Sequence, residues 1–464
     1  MNTRIAARPF HWMTLAWLWL DIPTILWCTG VSHLSTLLKS PLGLLSANLP
    51  LDRTYAALWY GLGVGFLIWT YQHVGQAWSQ GKRPWGLIAV ILMLSAVSFP
   101  FVSHDIFVYF GEWRTITIYH HNPMVTPIAA IPRWHRDVWL VRAGWQKSVN
   151  PYGPGWFLWL EGWSRILPQD FGAFFVWWKS MTLLGTTLSA WMLNKMRAGS
   201  GVRFLLHPVI GIEFLANGHN DVLMMVLAVL SLWLWRRKAW VWAGLAAGLS
   251  AAMKYVSVLP LAWLALKPQR WSQRFTVAGF AVAAGLLCLV PLWRGPNTLL
   301  GPLGTTHLYL RSPAFIVQGT LVHLTHLSRA HSRMWASLAV TAAFLALYVR
   351  AAHQFYKTQD PVYLGDALLA TALVLMSWLQ FWYLSWSLPF YLVSRRERAA
   401  RLVQYLAYLE IVRTTGWPLG LPAALQILQV LMIWVPLNWI LWPSLKEHAR
   451  GLRAWHLRSP VERP

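Results

Sequence analysis

Carboxylates are scarce in this 464-residue chain, in which Asp and Glu total 15 against 39 Lys and Arg. Two of them, Asp105 and Asp221, lie where an apolar segment ends, and each follows polar neighbours: His104 before the first, His219 and Asn220 before the second. Such a position desolvates a carboxylate partly while leaving it reachable, which suits a general base. We predict that Asp105 and Asp221 are functional. The alternative for each is capping of a helix N-terminus.

The elements that position these carboxylates are predicted to be membrane helices. Hydrophobic residues make up 56% of the chain and charged residues only 12%. Stretches of about 20 apolar residues cross a hydrocarbon layer, and Tyr55–Gly75, Phe171–Leu193 and Phe275–Trp293 are interpreted as such spans. The stretch from about Phe10 is interpreted as a first span rather than a cleaved signal. The predicted fold is all-α, a polytopic bundle of about 12–14 membrane segments.

Charge indicates the orientation in the membrane. The net charge is +24, and most basic residues fall in short connections that alternate along the chain. Placing these connections in the cytoplasm leaves both termini inside, in a plasma-membrane protein. Topology and anionic lipid therefore explain the positive charge, and no nucleic-acid partner is predicted.

Two longer segments, 103–170 and 294–334, fall on the outer side and are also basic, against the usual bias. Arg294 and Arg311 belong to the second. An anionic ligand such as a phosphate or diphosphate would account for this charge. The stretch Trp156–Ile166 is predicted to lie along the surface. The chain is interpreted as one membrane domain: 1–102 N-terminal spans, 103–170 first large outer loop, 171–293 core spans with hairpins, 294–334 second outer loop and 335–464 C-terminal spans.

Some apolar segments are too short to span as ideal helices. They flank the polar segment Asn217–Asp221 and the lone Lys254, and are predicted to form helical hairpins with these residues at the tips. For Lys254 the alternative is a side chain that reaches a lipid headgroup. For Asn217–Asp221 it is a hydrogen-bonded turn that caps the next helix. The short segments are Phe204–Ala216, Val222–Trp235, Trp240–Met253 and Tyr255–Leu266.

Several motifs in order along the chain resemble those of the GT-C glycosyltransferases, in particular the bacterial polyprenol-phosphate-mannose-dependent mannosyltransferases. The resemblance extends from about Ser98 to Arg398. The motifs are Asp105–Tyr109 with Gly111 and Asn122-Pro123, then Asn150–Trp156, Asn217–Asp221 with Lys254-Tyr255, and the aromatic-rich Phe381–Trp386.

The resemblance implies a GT-C fold whose first large outer loop is catalytic and carries surface-lying helices. It implies transfer of a hexose, with mannose favoured, from a polyprenyl-phosphate donor to a hydroxyl of a glycan or glycolipid acceptor on the outer face, with inversion. Asp105 matches the catalytic base of the family. Cations near the departing phosphate matter more than a general acid, because phosphate is a good leaving group. The candidate donor and phosphate ligands are Lys254, Arg294, Arg311 and His219, and the candidate substrate ligands are His104, Asn122, Tyr152, Asn220 and Asp221.

No metal site or other cofactor is predicted. His104, Asp105, His120 and His121 have suitable ligand groups for a divalent cation, but their spacing matches no ligand motif. Two other functions stay open as alternatives. Broken helices with polar tips also occur in transporters and flippases of lipid-linked or anionic substrates. A surface-polysaccharide polymerase or ligase would also use a large outer loop with basic residues.

Overall fold

The computed structural model describes residues 3–28, 53–81, 83–100, 103–267, 270–300, 312–325, 327–376 and 379–416. In these ranges the backbone is mostly helical and forms no strand, which confirms the predicted all-α class.

The N-terminal part of the bundle consists of three helices. They are α1 (Thr3–Cys28), α2 (Arg53–Ser79) and α3 (Trp85–Val97). Their buried side chains, among them Phe10, Trp17 and Tyr60, form a core of their own together with Ile212 and Ala216 from the middle of the chain.

The predicted first outer loop is a folded segment of short helices. It holds α4 (Asp105–Thr117), α5 (Val138–Arg142) and α6 (Pro154–Ser164), with single 3₁₀ turns at Ile128–Ala130 and Trp134–Arg136. Asp137 connects parts of this segment, because its carboxylate accepts hydrogen bonds from Arg114, Tyr119 and the Trp139 amide. Helix α6 is about 16 Å long, which is too short to cross a bilayer.

The middle of the chain contains the predicted short hairpins. Its elements are α7 (Phe171–Met196), α8 (Ser200–Leu205), a π-helix (Ile210–Ala216), α9 (Asp221–Arg236), α10 (Trp240–Met253), a 3₁₀ turn (Tyr255–Ser257), α11 (Val258–Leu266), α12 (Trp271–Leu289) and a 3₁₀ turn (Val290–Leu292). Helices α10 and α12 pack so closely that their backbones touch. A Cβ on Gly244 would lie 2.5 Å from Val277 O, and one on Gly248 would lie 2.1 Å from Ala281 O. Small residues four apart allow this approach between membrane helices.

The C-terminal part begins with the predicted second outer loop, 294–334. Much of its described part is helical, and Arg329 and Arg333 belong to a long helix. Its placement on the outer side stays a prediction. The elements are α13 (Asn297–Leu300), α14 (Pro313–Thr325), α15 (Arg329–Thr358), α16 (Val362–Ala370), a π-helix (Thr371–Leu375), a 3₁₀-helix (Phe381–Ser387), α17 (Leu388–Val393) and α18 (Glu397–Gly416). Arg311 and the predicted spans after 416 lie outside the described residues.

Two helical segments of the described ranges, Trp271–Leu292 and Arg329–Thr358, are long and apolar enough to cross a membrane. A third is added if Ile210–Ala216 and Asp221–Arg236, bent by 116° at their junction, form one broken span. The molecule is a helical membrane protein, and the predicted number of about 12–14 segments stays a prediction.

Candidate active site

The centre of the site is the break between the π-helix and α9. Gly218 has φ +71°, a conformation that favours glycine, and a Cβ there would lie 3.2 Å from the Trp178 indole nitrogen. That indole donates a 2.7 Å hydrogen bond to Gly218 O. The glycine therefore allows the chain to turn sharply and present His219, Asn220 and Asp221 on one side.

A buried cation closes the end of the π-helix. Lys179 of α7 donates to the carbonyls of Leu215 and, at 2.7 Å, Ala216. These carbonyls lie at a helix C-terminus, where a positive charge is favourable. The stretch Phe171–Leu193, interpreted above as an apolar span, contains this lysine, which holds the break in place.

Asp105 is the first residue of α4 and faces the break. Its Oδ2 lies 3.0 Å from His219 Nδ1 and 3.4 Å from the Tyr109 hydroxyl, which in turn accepts a 3.1 Å hydrogen bond from the Asn220 amide. The Asp105 amide donates to Ser103 Oγ. The carboxylate is therefore held by two side chains at a helix N-terminus, where negative charge is favoured.

His219 separates Asp105 from a second acid. Its Nε2 lies 3.0 Å from Glu213 Oε2 without the alignment of a hydrogen bond, and its ring stacks on Trp382 at 4.0 Å. The side chains of His219 and Glu213 are fully buried, whereas that of Asp105 is 22% exposed. Of the three groups, only Asp105 can be reached from outside.

Asp221 and Lys254 form a buried ion pair beside this group. Lys254 Nζ lies 2.7 Å from Asp221 Oδ1, which also accepts a 2.5 Å hydrogen bond from Trp386 Nε1. The ammonium lies 5.0–5.4 Å from the ring centroids of Tyr152, Tyr383 and Trp386, within cation–π range. The two predicted hairpin tips therefore meet, and aromatic rings enclose the cation.

The segment Asn150–Trp156 is clamped to α4 by Glu112. The Glu112 carboxyl accepts hydrogen bonds from Asn150 and, at 2.7 Å, from Trp156 Nε1. Burial raises the pKa of Glu112 well above its ordinary value, an effect that the Trp156 bond opposes. The clamp fixes both ends of the turn that places Tyr152 over Lys254.

Glycines let the same segment approach the end of α10. Gly153 N donates to Met253 O at 3.1 Å, and a Cβ on Gly153 would lie only 2.1 Å from Ala252 O. A Cβ on Gly155 would lie 3.0 Å from the Ala252 carbonyl carbon. The Gly-Pro-Gly motif is therefore needed for packing, and substrate contact is not required to explain it.

The structure brings together six of the residues predicted for the site: Asp105, Tyr152, His219, Asn220, Asp221 and Lys254. Two of them have acceptor atoms to spare, since Asn220 Oδ1 and Asp221 Oδ2 are buried and have no hydrogen-bond partner within the described part of the chain. A buried acceptor without a donor is unfavourable, and a hydroxyl-rich ligand would supply the donors.

The remaining predicted residues lie elsewhere or have other partners. Both polar atoms of the Asn122 amide group are engaged, by Leu292 O at 2.8 Å and by the Met124 amide at 2.9 Å, so Asn122 joins the outer segment to the end of the α12 span. His104 is exposed beside Asp105, and Arg294 is exposed just past that span. Arg311 lies outside the described residues.

Sequence reasoning missed several residues of the site. Tyr109, Glu213 and Trp386 contact predicted residues directly, and Lys179 supports the break behind them. A Lys within an apolar stretch and a Glu six residues before His219 were available as signals. In the described ranges, no group of three or more His, Cys, Asp or Glu side chains is arranged to hold a metal ion.

This arrangement can perform base chemistry on a polar ligand. A reachable carboxylate is supported by an imidazole and a phenol, and unpartnered acceptors lie nearby.

Comparison with known proteins agrees with the motifs. The family model described as alpha-(1->6)-mannopyranosyltransferase, N-terminal domain, matches residues 26–270, which is more than half of the chain. No curated protein matches it.

Proposed function

Because this chain belongs to the alpha-(1->6)-mannopyranosyltransferase family, a family of GT-C mannosyltransferases, we propose that it transfers mannose from a polyprenyl-phosphate donor. The acceptor in this proposal is a C6 hydroxyl of a glycan or glycolipid, on the outer face of the membrane. Members of this family are mannosyltransferases, which favours sugar transfer over the transporter and polymerase alternatives.

The observation that carries the catalytic proposal is the position of Asp105. Its side chain is partly exposed, whereas its neighbours His219 and Glu213 are fully buried. A general base must reach the proton that it removes, and its orientation must be fixed before the acceptor arrives. Asp105 meets both conditions.

The proposed reaction is a single inverting displacement. The acceptor O–H bond breaks and its proton passes to Asp105, while the acceptor oxygen bonds to the anomeric carbon of the donor. The bond from that carbon to the phosphate oxygen breaks, and the polyprenyl phosphate leaves with the electron pair. An α-linked product requires a β-linked mannosyl phosphate, because the configuration inverts.

The unpartnered acceptors support a place for the mannosyl group. Asn220 Oδ1 and Asp221 Oδ2 would each accept a hydrogen bond from a sugar hydroxyl, which donates one proton. The Asn220 amide donates to the Tyr109 hydroxyl that contacts Asp105, so a mannosyl group held by Asn220 would lie near the base, with the acceptor hydroxyl between them.

The contacts of the four predicted phosphate ligands favour some of them over the others. His219 already lies between Asp105 and Glu213, and Lys254 is already paired with Asp221, so both have partners within the protein. We therefore propose Arg294 and Arg311 as the main ligands of the phosphate. Lys254 would contribute to the positive electrostatic potential around it. The active site is placed on the outer face, with both termini cytoplasmic, as the charge pattern predicts.

The test uses purified protein in lipid nanodiscs with radiolabelled polyprenyl-phosphate mannose and a synthetic α-mannoside acceptor. Asp105→Asn is expected to lower kcat by about 10²–10⁴-fold, the usual contribution of a general base, and to leave donor binding intact. The matched control is Glu161→Gln, which removes an exposed carboxylate of the same outer segment.

Three results would count against the proposal. Wild-type kcat in a folded Asp105→Asn variant would remove Asp105 as the base. Transfer from a nucleotide sugar, with none from the polyprenyl phosphate, would remove the donor. A product linked at a position other than C6 would remove the acceptor hydroxyl.

A further inference from the structure

Glu213 is fully buried and takes no direct part in the displacement proposed for Asp105. We propose that Glu213 is a positioning residue, which acts on Asp105 through His219. This inference rests on the proposed function, since it assigns a role in setting up the same base.

The geometry forms a line of three groups. Asp105 Oδ2 and Glu213 Oε2 each lie 3.0 Å from His219, on opposite ring nitrogens. The ring is held flat against Trp382 at an interplanar angle of 19°. An imidazole that is fixed on three sides presents its Nδ1 to Asp105 in one orientation only.

The backbone around Glu213 is shaped for this contact. The π-helix Ile210–Ala216 ends directly at the break, and the amide of His219 donates to Glu213 O at 3.0 Å. The Asn217 side chain donates to Glu213 Oε2 at 2.9 Å. Single π-helical turns are often found at functional sites, and this one places the Glu213 carboxylate at the Nε2 edge of the imidazole.

Hydrogen bonding defines the two oxygens that face His219. Glu213 Oε2 accepts from Asn217, and Asp105 Oδ2 accepts from Tyr109. On the Nδ1 side of the ring, Asp105 Oδ2 lies at hydrogen-bond geometry. On the Nε2 side, Glu213 Oε2 lies 3.0 Å away without hydrogen-bond alignment.

The role of Glu213 follows from this geometry. A buried imidazole in contact with Asp105 alone would be free to turn. The Glu213 carboxyl group on the opposite side fixes the ring. Asp105 Oδ2 is then held in one position until the acceptor hydroxyl arrives. The same logic applies to nucleophile–base pairs that are oriented by a third group.

The test is a double-mutant cycle between Glu213 and His219 in the nanodisc transfer assay. Glu213→Gln keeps the shape but removes the charge, and is expected to lower kcat at least about tenfold with the donor KM within about twofold. In a His219→Gln background the same change is expected to have less than about a twofold effect, because its route to Asp105 is gone. Glu161→Gln is again the matched control.

Several outcomes overturn the inference. Wild-type kcat in Glu213→Gln does so, as does an equal loss in both backgrounds, since that would indicate a role independent of His219. Glu213→Asp retains the charge and is expected to keep more of kcat than Glu213→Gln, and the reverse order also contradicts it. If the wild-type protein itself transfers no mannose, the proposed function fails instead.

Discussion

Lys254 Nζ lies 2.7 Å from Asp221 Oδ1, and the two side chains are 11% and 1% exposed. The residues stand at the ends of two separate helical turns, 33 positions apart in the chain. Trp386 from a third element donates to the same carboxylate oxygen. The ion pair therefore joins three elements around the break, and its loss would affect both stability and the position of Asn220 next to it.

We predict that Lys254→Met destabilises the protein strongly. Removing one partner leaves Asp221 buried and unpaired, which costs about 3–5 kcal/mol. The measurement is the thermal unfolding temperature of the purified protein in detergent. Adding Asp221→Asn to Lys254→Met is expected to restore part of the loss, because the unpaired charge is then gone. Lys147→Met, at an exposed position of the outer segment, is the control, and equal melting temperatures for Lys147→Met and Lys254→Met would contradict the prediction.

Gly153→Ala is predicted to damage the site by steric contact alone. The added methyl group would lie 2.1 Å from Ala252 O, so the Asn150–Trp156 segment must move away from α10. We expect a loss of about 1–3 kcal/mol, as for other overpacked positions, and a lower kcat because Tyr152 shifts from Lys254. Gly162→Ala, in the adjacent helix α6, meets no atom within 4 Å and should behave as wild type. Equal activity of the two variants would show that the segment adapts.

The sequence was sufficient to predict the local breaks. Asn217–Asp221 and Lys254 were identified as tips because short apolar segments flank them, and Gly218 supplies the conformation that such a turn needs. The pairing of Asp221 with Lys254 was not predictable, because it depends on how separate helical turns pack. The same holds for Asp105 and His219, which are 114 positions apart.

Buried charges were the other source of error. Lys179 was included in a span because its neighbours are apolar, and its partners are backbone carbonyls, which have no sequence signature. Glu213 belongs to the short segment Phe204–Ala216 and was not singled out, because its contact with His219 requires the π-helix. The segment 294–334 was predicted to be an outer loop from its length and its basic residues, and the helix α14 and the start of α15 within it were not predicted.

Lys179→Met is predicted to loosen the break from behind. The carbonyls of Leu215 and Ala216 would lose their buried donor, and an unsatisfied buried acceptor costs about 1–3 kcal/mol. We expect a lower melting temperature together with a lower kcat, since the turn that carries His219 begins there. Lys195→Met, at an exposed position of the same helix, should change neither quantity. A Lys179→Met protein with wild-type stability would refute the capping role.

Asp137 leads to a prediction about pH. Burial raises the pKa of this carboxyl, but hydrogen bonds from Arg114, Tyr119 and the Trp139 amide outweigh burial, so the pKa lies below its ordinary value. A carboxyl whose pKa is lower in the folded state stabilises the fold above its unfolded pKa of about 3.9. That contribution is lost as the pH falls through the lower, folded value.

Asp137→Asn should therefore lower the melting temperature at pH 7, and the gap to wild type should narrow as the pH falls below about 4. The loss at neutral pH should correspond to about 1.5–3 kcal/mol, the range for hydrogen bonds to a charged group. Melting curves in detergent between about pH 7 and pH 3 would measure this, with Glu161→Gln as the control for an exposed ion pair. Because the Arg114 clamp folds the segment behind α4, kcat at neutral pH should also fall in Asp137→Asn. A gap that stays constant with pH would show that the Asp137 charge does not stabilise this segment.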